Sequence, residues 1–280
     1  MSLSRRHLLG GLALIPAVPL LAACSETAPG PGSSASAPVG GVEAGALPVT
    51  IEHRYGSATI EAAPQRVVCV GLVEQDMLLA LGLAPVGTTK WLETDNGAIF
   101  PWATEALGDR PVPTLLDAAN GIPVEKVAAL KPDLIIGLYS AMTQAEYDLL
   151  SKLAPTVAAP KDIADYGMRW EDVTLTVGRA VGQPAAAEAL VTKTQDTLTA
   201  TAQAHPEFAG KSAVLGTPYQ GLALCGKSDP RQRLLESLGF TFPEVFAADD
   251  TGAYSFVVSS ERTSDLGEVD VVVWRGLAGD

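Results

Sequence analysis

The chain has 280 residues, 47% of them hydrophobic, 18% charged and 6% aromatic, a composition that builds a globular core and excludes a disordered or fibrous protein. Lysine and arginine number 19 against 32 aspartates and glutamates, and the net charge of −13 repels phosphate backbones, so no nucleic-acid partner is expected. Three cysteines and three histidines are too few for a disulfide scaffold or a multi-ligand zinc cluster.

Residues 1–23 read as an export signal. Arg5 and Arg6 precede an apolar run from Leu8 to Ala23, interrupted by Pro16 and Pro19 and shorter than the roughly 20 residues of a membrane span. The run ends Leu21-Ala22-Ala23-Cys24, which resembles a bacterial lipobox and implies lipidation of Cys24 and anchorage to the cell membrane. The paired arginines resemble a twin-arginine signal, with ordinary Sec export as the other route. Residues 24–46, rich in Ser, Ala, Gly and Pro, read as a flexible tether behind the lipidated cysteine.

Beyond residue 47 short β-rich runs alternate with helical spacing. Val67 to Gly71 reads as a strand, Glu74 to Leu81 as a helix stopped at Gly82, and Pro85 to Thr89 as a second strand. Val124 to Leu130 (helix), Asp133 to Gly137 (strand), Gln144 to Leu153 (helix) and Thr156 to Ala158 (strand) continue the series. The alternation argues for a mainly parallel sheet covered on both faces, with ligands gathering at the carboxyl ends of its strands. Pro184 to Ala204 then predicts one helix, opened by a proline in its first turn and stopped by Pro206; at 1.5 Å per residue it would run about 30 Å, enough to bridge two lobes. After it the pattern restarts with strands at Ser212 to Leu215, Gly221 to Cys225 and Asp270 to Trp274 and a helix at Arg231 to Leu238. The expected architecture is α/β: two Rossmann-like lobes, residues 47–168 and 207–280, joined by a helical segment, 169–206, with a ligand cleft between them. Cys69 and Cys225, in apolar runs far apart, read as buried free thiols.

The stretch Pro64 to Val68, the run Leu79 to Gly87, Val124 to Ile136 with its Ala-Leu-Lys-Pro-Asp-Leu-Ile core, and Leu149 to Val157 together resemble the N-lobe of the helical-backbone (class III) solute-binding proteins of ABC importers. Val257 to Arg262, leading into Asp270 to Trp274, is similar to the C-lobe of the same family. The resemblance implies a monomeric, non-enzymatic binding lipoprotein outside the cytoplasm that captures an iron(III)–siderophore complex and delivers it to a membrane permease. Haem or cobalamin is the alternative ligand on the same fold, and a surface-attached sensing module without transport is the alternative of another class. The family also implies a further strand and two helices after Trp274, so the second lobe reads as incomplete.

Trp91 and Tyr139 stand at strand ends where the resemblance places the ligand wall of the first lobe, and Trp102 follows in a loop. Aromatic side chains suit a bulky chelate because they offer large rigid contact area, with the Tyr hydroxyl as a polar handle. In the second lobe Tyr219 and Tyr254 are further aromatic candidates. Arg262 and Arg275 are candidates for holding the oxygens of an anionic chelate, since a guanidinium presents a fixed fork of donors. Tyr166 and Trp170 are read as anchors of the linking segment. Glu125 and Glu236 match, by resemblance, the one glutamate per lobe that docks on the permease. No cofactor and no metal bound directly by the protein are expected: His53 and His205 are isolated, so iron would arrive already chelated. Neither a Gly-x-Ser-x-Gly turn nor a phosphate-binding glycine loop is present to suggest catalysis.

Overall fold

The computed structural model describes residues 41–91, 96–218 and 221–275. The chain enters through an antiparallel hairpin, β1 (Val49–His53) and β2 (Gly56–Ile60). The first lobe is then built on β3 (Val67–Cys69), β4 (Gly87–Thr89), β5 (Thr114–Leu116), β6 (Leu134–Gly137) and β7 (Thr156–Ala158). Between them run α1 (Glu74–Ala80), α2 (Thr104–Leu107), α3 (Val124–Ala129) and α4 (Gln144–Leu150). All four strand pairings are parallel. The central strands β3 and β6 are apolar throughout because both faces are covered: Val67, Cys69, Leu134 and Ile136 feed one core cluster, and Val68 and Ile135 the other.

The strand order β5-β4-β3-β6-β7 decides where a ligand can sit. From β3 the chain moves outward through β4 and β5, then returns to the other side of β3 as β6. The helices on either side of that reversal diverge and leave a crevice beyond the carboxyl ends of β3 and β6.

Two helices follow, α5 (Trp170–Ala180) and α6 (Pro184–Ala204). They pack closely, since a Cβ on Gly178 would lie 2.2 Å from that of Ala187. At 21 residues α6 has the expected bounds and reaches from α5 to α7 (Pro230–Ser237) of the second lobe. Its start is capped from a distance: Gln183 contributes no side-chain cap, and the Glu43 carboxylate accepts hydrogen bonds from the N–H groups of Ala185 and Ala186 at 2.9 Å each. The tether expected to run to residue 46 therefore ends earlier, because a carboxylate on the positive end of a helix satisfies donors that nothing else reaches.

The second sheet contains β8 (Ala213–Pro218), β9 (Leu222–Cys225), β10 (Ser255–Val258) and β11 (Val271–Trp274) in the order β10-β9-β8-β11. Only its β8–β11 pair is parallel, whereas β8–β9 and β9–β10 are antiparallel. Three residues separate β8 from β9, enough for a hairpin and far too few for the crossover a parallel pair requires. Its core is smaller, built on Val214, Leu224, Phe246 and Val258. Cys69 and Cys225 are free and buried.

Candidate functional site

At the crevice the two lobes and the linking segment enclose a chamber of about 390 Å³. Leu72, Val73, Met77, Trp91 and Tyr139 form its first-lobe wall; Tyr166, Met168, Trp170 and Val173 close one side; Asp229, Pro230, Arg231, Tyr254 and Arg275 face them from the second lobe. Five aromatic rings in so small a volume make a rigid apolar lining, and two guanidiniums supply the charge. A more polar annex of about 500 Å³ continues over the ends of β4 and β6, sharing Leu72 and Tyr166 with the chamber and lined also by Lys90, Asp117, Ser140 and Glu146.

Each wall is held by identifiable contacts. Tyr139 meets Tyr166 edge-on at 5.5 Å. Tyr166 takes a left-handed backbone (φ 58°) that a bulky side chain adopts only when its surroundings impose it. The imposing groups are Arg54, which donates to the Ile163 carbonyl and pairs with Asp165, and Arg233 of α7, which donates to the Gly167 carbonyl at 3.1 Å. Trp91 stands edge-on to Phe100 at 5.8 Å.

On the second-lobe side Asp229 has two tasks. Its carboxylate caps α7 by accepting from the Arg231 N–H at 2.8 Å, and it accepts two further bonds from the Arg231 guanidinium at 2.9 and 2.7 Å. The carboxylate is buried while the guanidinium is 38% exposed, so Arg231 is aimed at the chamber as a preset donor. Arg275 follows the end of β11, and among the described residues no carboxylate pairs with its guanidinium. Among the described lining side chains Arg231 is paired with Asp229, and Arg275 adds a second guanidinium. Burial pushes the Tyr139 hydroxyl up to about 12, with the Asp229 charge adding to the shift and Arg231 and Arg233 opposing it.

Among the residues singled out from sequence, the structure brings Trp91, Tyr139, Tyr254 and Arg275 together in one chamber. Trp102 lies outside it, 70% exposed, stacked on Phe100 at 4.7 Å and donating its indole N–H to Asp76 at 3.0 Å. Arg262 is also elsewhere: its guanidinium is bound to the carboxylates of Asp249 and Asp265 and to the Val245 carbonyl. Tyr219 and Cys24 lie outside the described residues. Glu125 on α3 and Glu236 on α7 are both exposed, one on each lobe. Tyr166 and Trp170, expected to anchor the linking segment, line the chamber. Asp229 and Arg231 were missed because Ser228-Asp229-Pro230 reads in sequence as a helix start and nothing more. Among the described residues no three His, Cys, Asp or Glu side chains converge as metal ligands, and no helix is long and apolar enough to cross a membrane.

A parallel sheet and a mixed sheet joined by one long helix, with an aromatic chamber at the junction, define a two-lobed binding protein. The chain belongs to the periplasmic binding protein family, which it matches over residues 67–279. Among curated relatives, YhfQ of Bacillus subtilis, which bears the name of an ABC transporter substrate-binding lipoprotein, is 30% identical over 194 residues, 69% of this chain and 58% of its own length. The chain spans less than two thirds of the length of the curated relatives it matches first. Among solved structures, a periplasmic solute-binding protein from Mycobacterium smegmatis superposes with a TM-score of 0.71 at 34% identity, over 81% of this chain and 76% of that one. PiaA of Streptococcus pneumoniae, crystallised with ferrichrome, gives 0.69 at 26% identity over 80% and 78%.

Proposed function

We propose that this protein captures a ferric siderophore between its lobes outside the cytoplasm and presents it to an ABC permease. The observation that carries the reading is the chamber itself: rigid aromatic walls from both lobes and the linker, with Arg231 and Arg275 as the charged groups for the oxygens of a chelate. Such a surface fits an iron complex whose metal is already coordinated. The acidic chain disfavours anions in general, and the two arginines create a local exception where the ligand enters. The ferrichrome-bound relative and the relative named for ABC transport support the same reading. Lipidation at Cys24 would hold the protein at the membrane, and Glu125 and Glu236, exposed on separate lobes, are the groups we assign to permease docking, where charge sets register more than affinity.

Calorimetric titration with ferrichrome, a ferric catecholate, ferric citrate, haem and cobalamin tests the ligand. Saturable one-to-one binding of a ferric siderophore, weakened in both Trp91→Ala and Arg275→Ala, is expected. Binding of haem or cobalamin alone, or heats unaffected by both substitutions, would overturn the assignment.

A further inference from the structure

Glu74 opens α1 at the floor of the crevice and is fully buried, and among the described residues no basic side chain pairs with it. Its carboxyl oxygens are instead shared between two loops. One accepts from the Tyr139 N–H at 2.8 Å, beyond the end of β6; the other accepts from the Val73 N–H at 3.1 Å, in the turn after β3. The Leu72 N–H adds a direct bond to the Tyr139 carbonyl at 3.2 Å. Leu72, Val73 and Tyr139 are all chamber-lining residues, so one carboxyl spans the two strand ends between which the sheet reverses direction.

The carboxyl fits only because residue 71 is glycine. A Cβ there would stand 2.1 and 2.3 Å from the two Glu74 oxygens and 2.5 Å from the carbon that bears them. Gly71 does not take a left-handed backbone, so alanine is free of that strain there, and the three atoms nearest its Cβ would all belong to the Glu74 carboxyl.

We propose that Glu74 is the positioning residue of the ligand chamber: its carboxyl, received in the space Gly71 leaves open, ties the Leu72–Val73 turn to the Tyr139 loop and so sets the first-lobe wall on which the ligand closes. This inference rests on the chamber being the ligand site. Burial raises the carboxyl's pKa against the opposing effect of the backbone amides of Tyr139, Glu74, Val73 and Leu138, so ionisation there costs stability.

The test compares the full chain with Glu74→Gln, Glu74→Ala, Gly71→Ala and the Gly71→Ala/Glu74→Ala double variant. Amide hydrogen exchange and affinity for the tightest-binding ferric siderophore of the calorimetric panel are measured on each. A glutamine offers one acceptor where two N–H groups need one each, so at least one of the Val73 and Tyr139 amides should lose protection. Val68 and Ile135, in the strands beneath, should keep theirs. Affinity should fall about tenfold in the single variants, and the melting temperature should fall with it, because a buried amide left without an acceptor also costs stability. Gly71→Ala should add nothing once Glu74 is alanine, because the group it displaces is gone. Unchanged protection of both amides in Glu74→Ala, or equal penalties from Gly71→Ala in the two backgrounds, would overturn the proposal. If Glu74→Ala fails to fold, Gly71→Ala and Glu74→Gln still decide through the same two amides. Should the unmodified chain bind no ferric siderophore, the functional reading falls while the exchange data still judge the role of Glu74.

Discussion

Two arginines of the second lobe show how the same side chain takes opposite roles according to its neighbours. Arg231 has one carboxylate partner, Asp229, and directs the rest of its fork into the chamber; Arg262 has its donors committed to Asp249, Asp265 and Val245. Arg231→Ala should therefore weaken ferric siderophore binding about tenfold or more, the scale of a lost charge-assisted contact, as read by calorimetry. Arg262→Ala should leave the affinity unchanged and lower the melting temperature. Tyr139 makes a prediction about pH. An unfolded tyrosine ionises near pH 10, while burial in the fold pushes the Tyr139 hydroxyl up to about 12. The folded state thus holds its proton more tightly, and the stability this contributes below about pH 10 is lost as the pH rises toward 12. Denaturant midpoints measured across that window should fall less steeply in Tyr139→Phe than in the parent; identical slopes would contradict the shift.

At the scale of elements, the start of α6 depends on a residue far away in sequence. With no side-chain cap at Gln183, the Glu43 carboxylate serves the first-turn donors Ala185 and Ala186. Glu43→Ala should cost about 0.5–2 kcal/mol of stability, the usual effect of losing a helix cap, measured by denaturant unfolding. No change would show that water serves those donors equally well. The bounds of α6 were legible in sequence because Pro184 and Pro206 punctuate it, and β3 and β6 because doubly buried strands are continuous apolar runs, whereas β5, with Thr114 exposed and one fully buried residue, was not. The β1–β2 hairpin was not, since Thr50, Glu52, Ser57 and Thr59 face solvent and dilute the apolar signal to alternate positions. Strand direction in the second sheet was missed for a different reason: composition marks a strand, and only the three-residue connection between β8 and β9 dictates that the pair is antiparallel. For the candidate site, strand-end position singled out Trp91, Tyr139 and Arg275, which the structure places along one chamber. It could not tell that Arg262 is consumed by Asp249 and Asp265, or that Asp229 aims Arg231, because those contacts join residues through space.

At the scale of the whole molecule, the proposed ligand chamber and the residues proposed for docking occupy different parts of the surface. Glu125 and Glu236 are exposed, one per lobe, and neither lines the chamber. Replacing both by arginine should leave siderophore affinity intact while abolishing transport by a reconstituted permease, since reversing the charge of a docking group turns attraction at its partner into repulsion. Transport at the parental rate would remove both residues from the docking role. The long helix connects both chamber walls, because α6 packs on α5, whose first residue lines the chamber, and reaches α7, whose first turn carries Arg231. A ligand held by both walls therefore links the lobes directly.

The most direct measurement is the position of iron in a crystal of the complex, from anomalous scattering at the iron absorption edge. One peak is predicted per molecule, within the chamber bounded by Trp91, Tyr139, Arg231 and Arg275. A peak at any other place on the protein, or none in crystals grown with a saturating ferric siderophore, would contradict the assignment of this chamber as the ligand site.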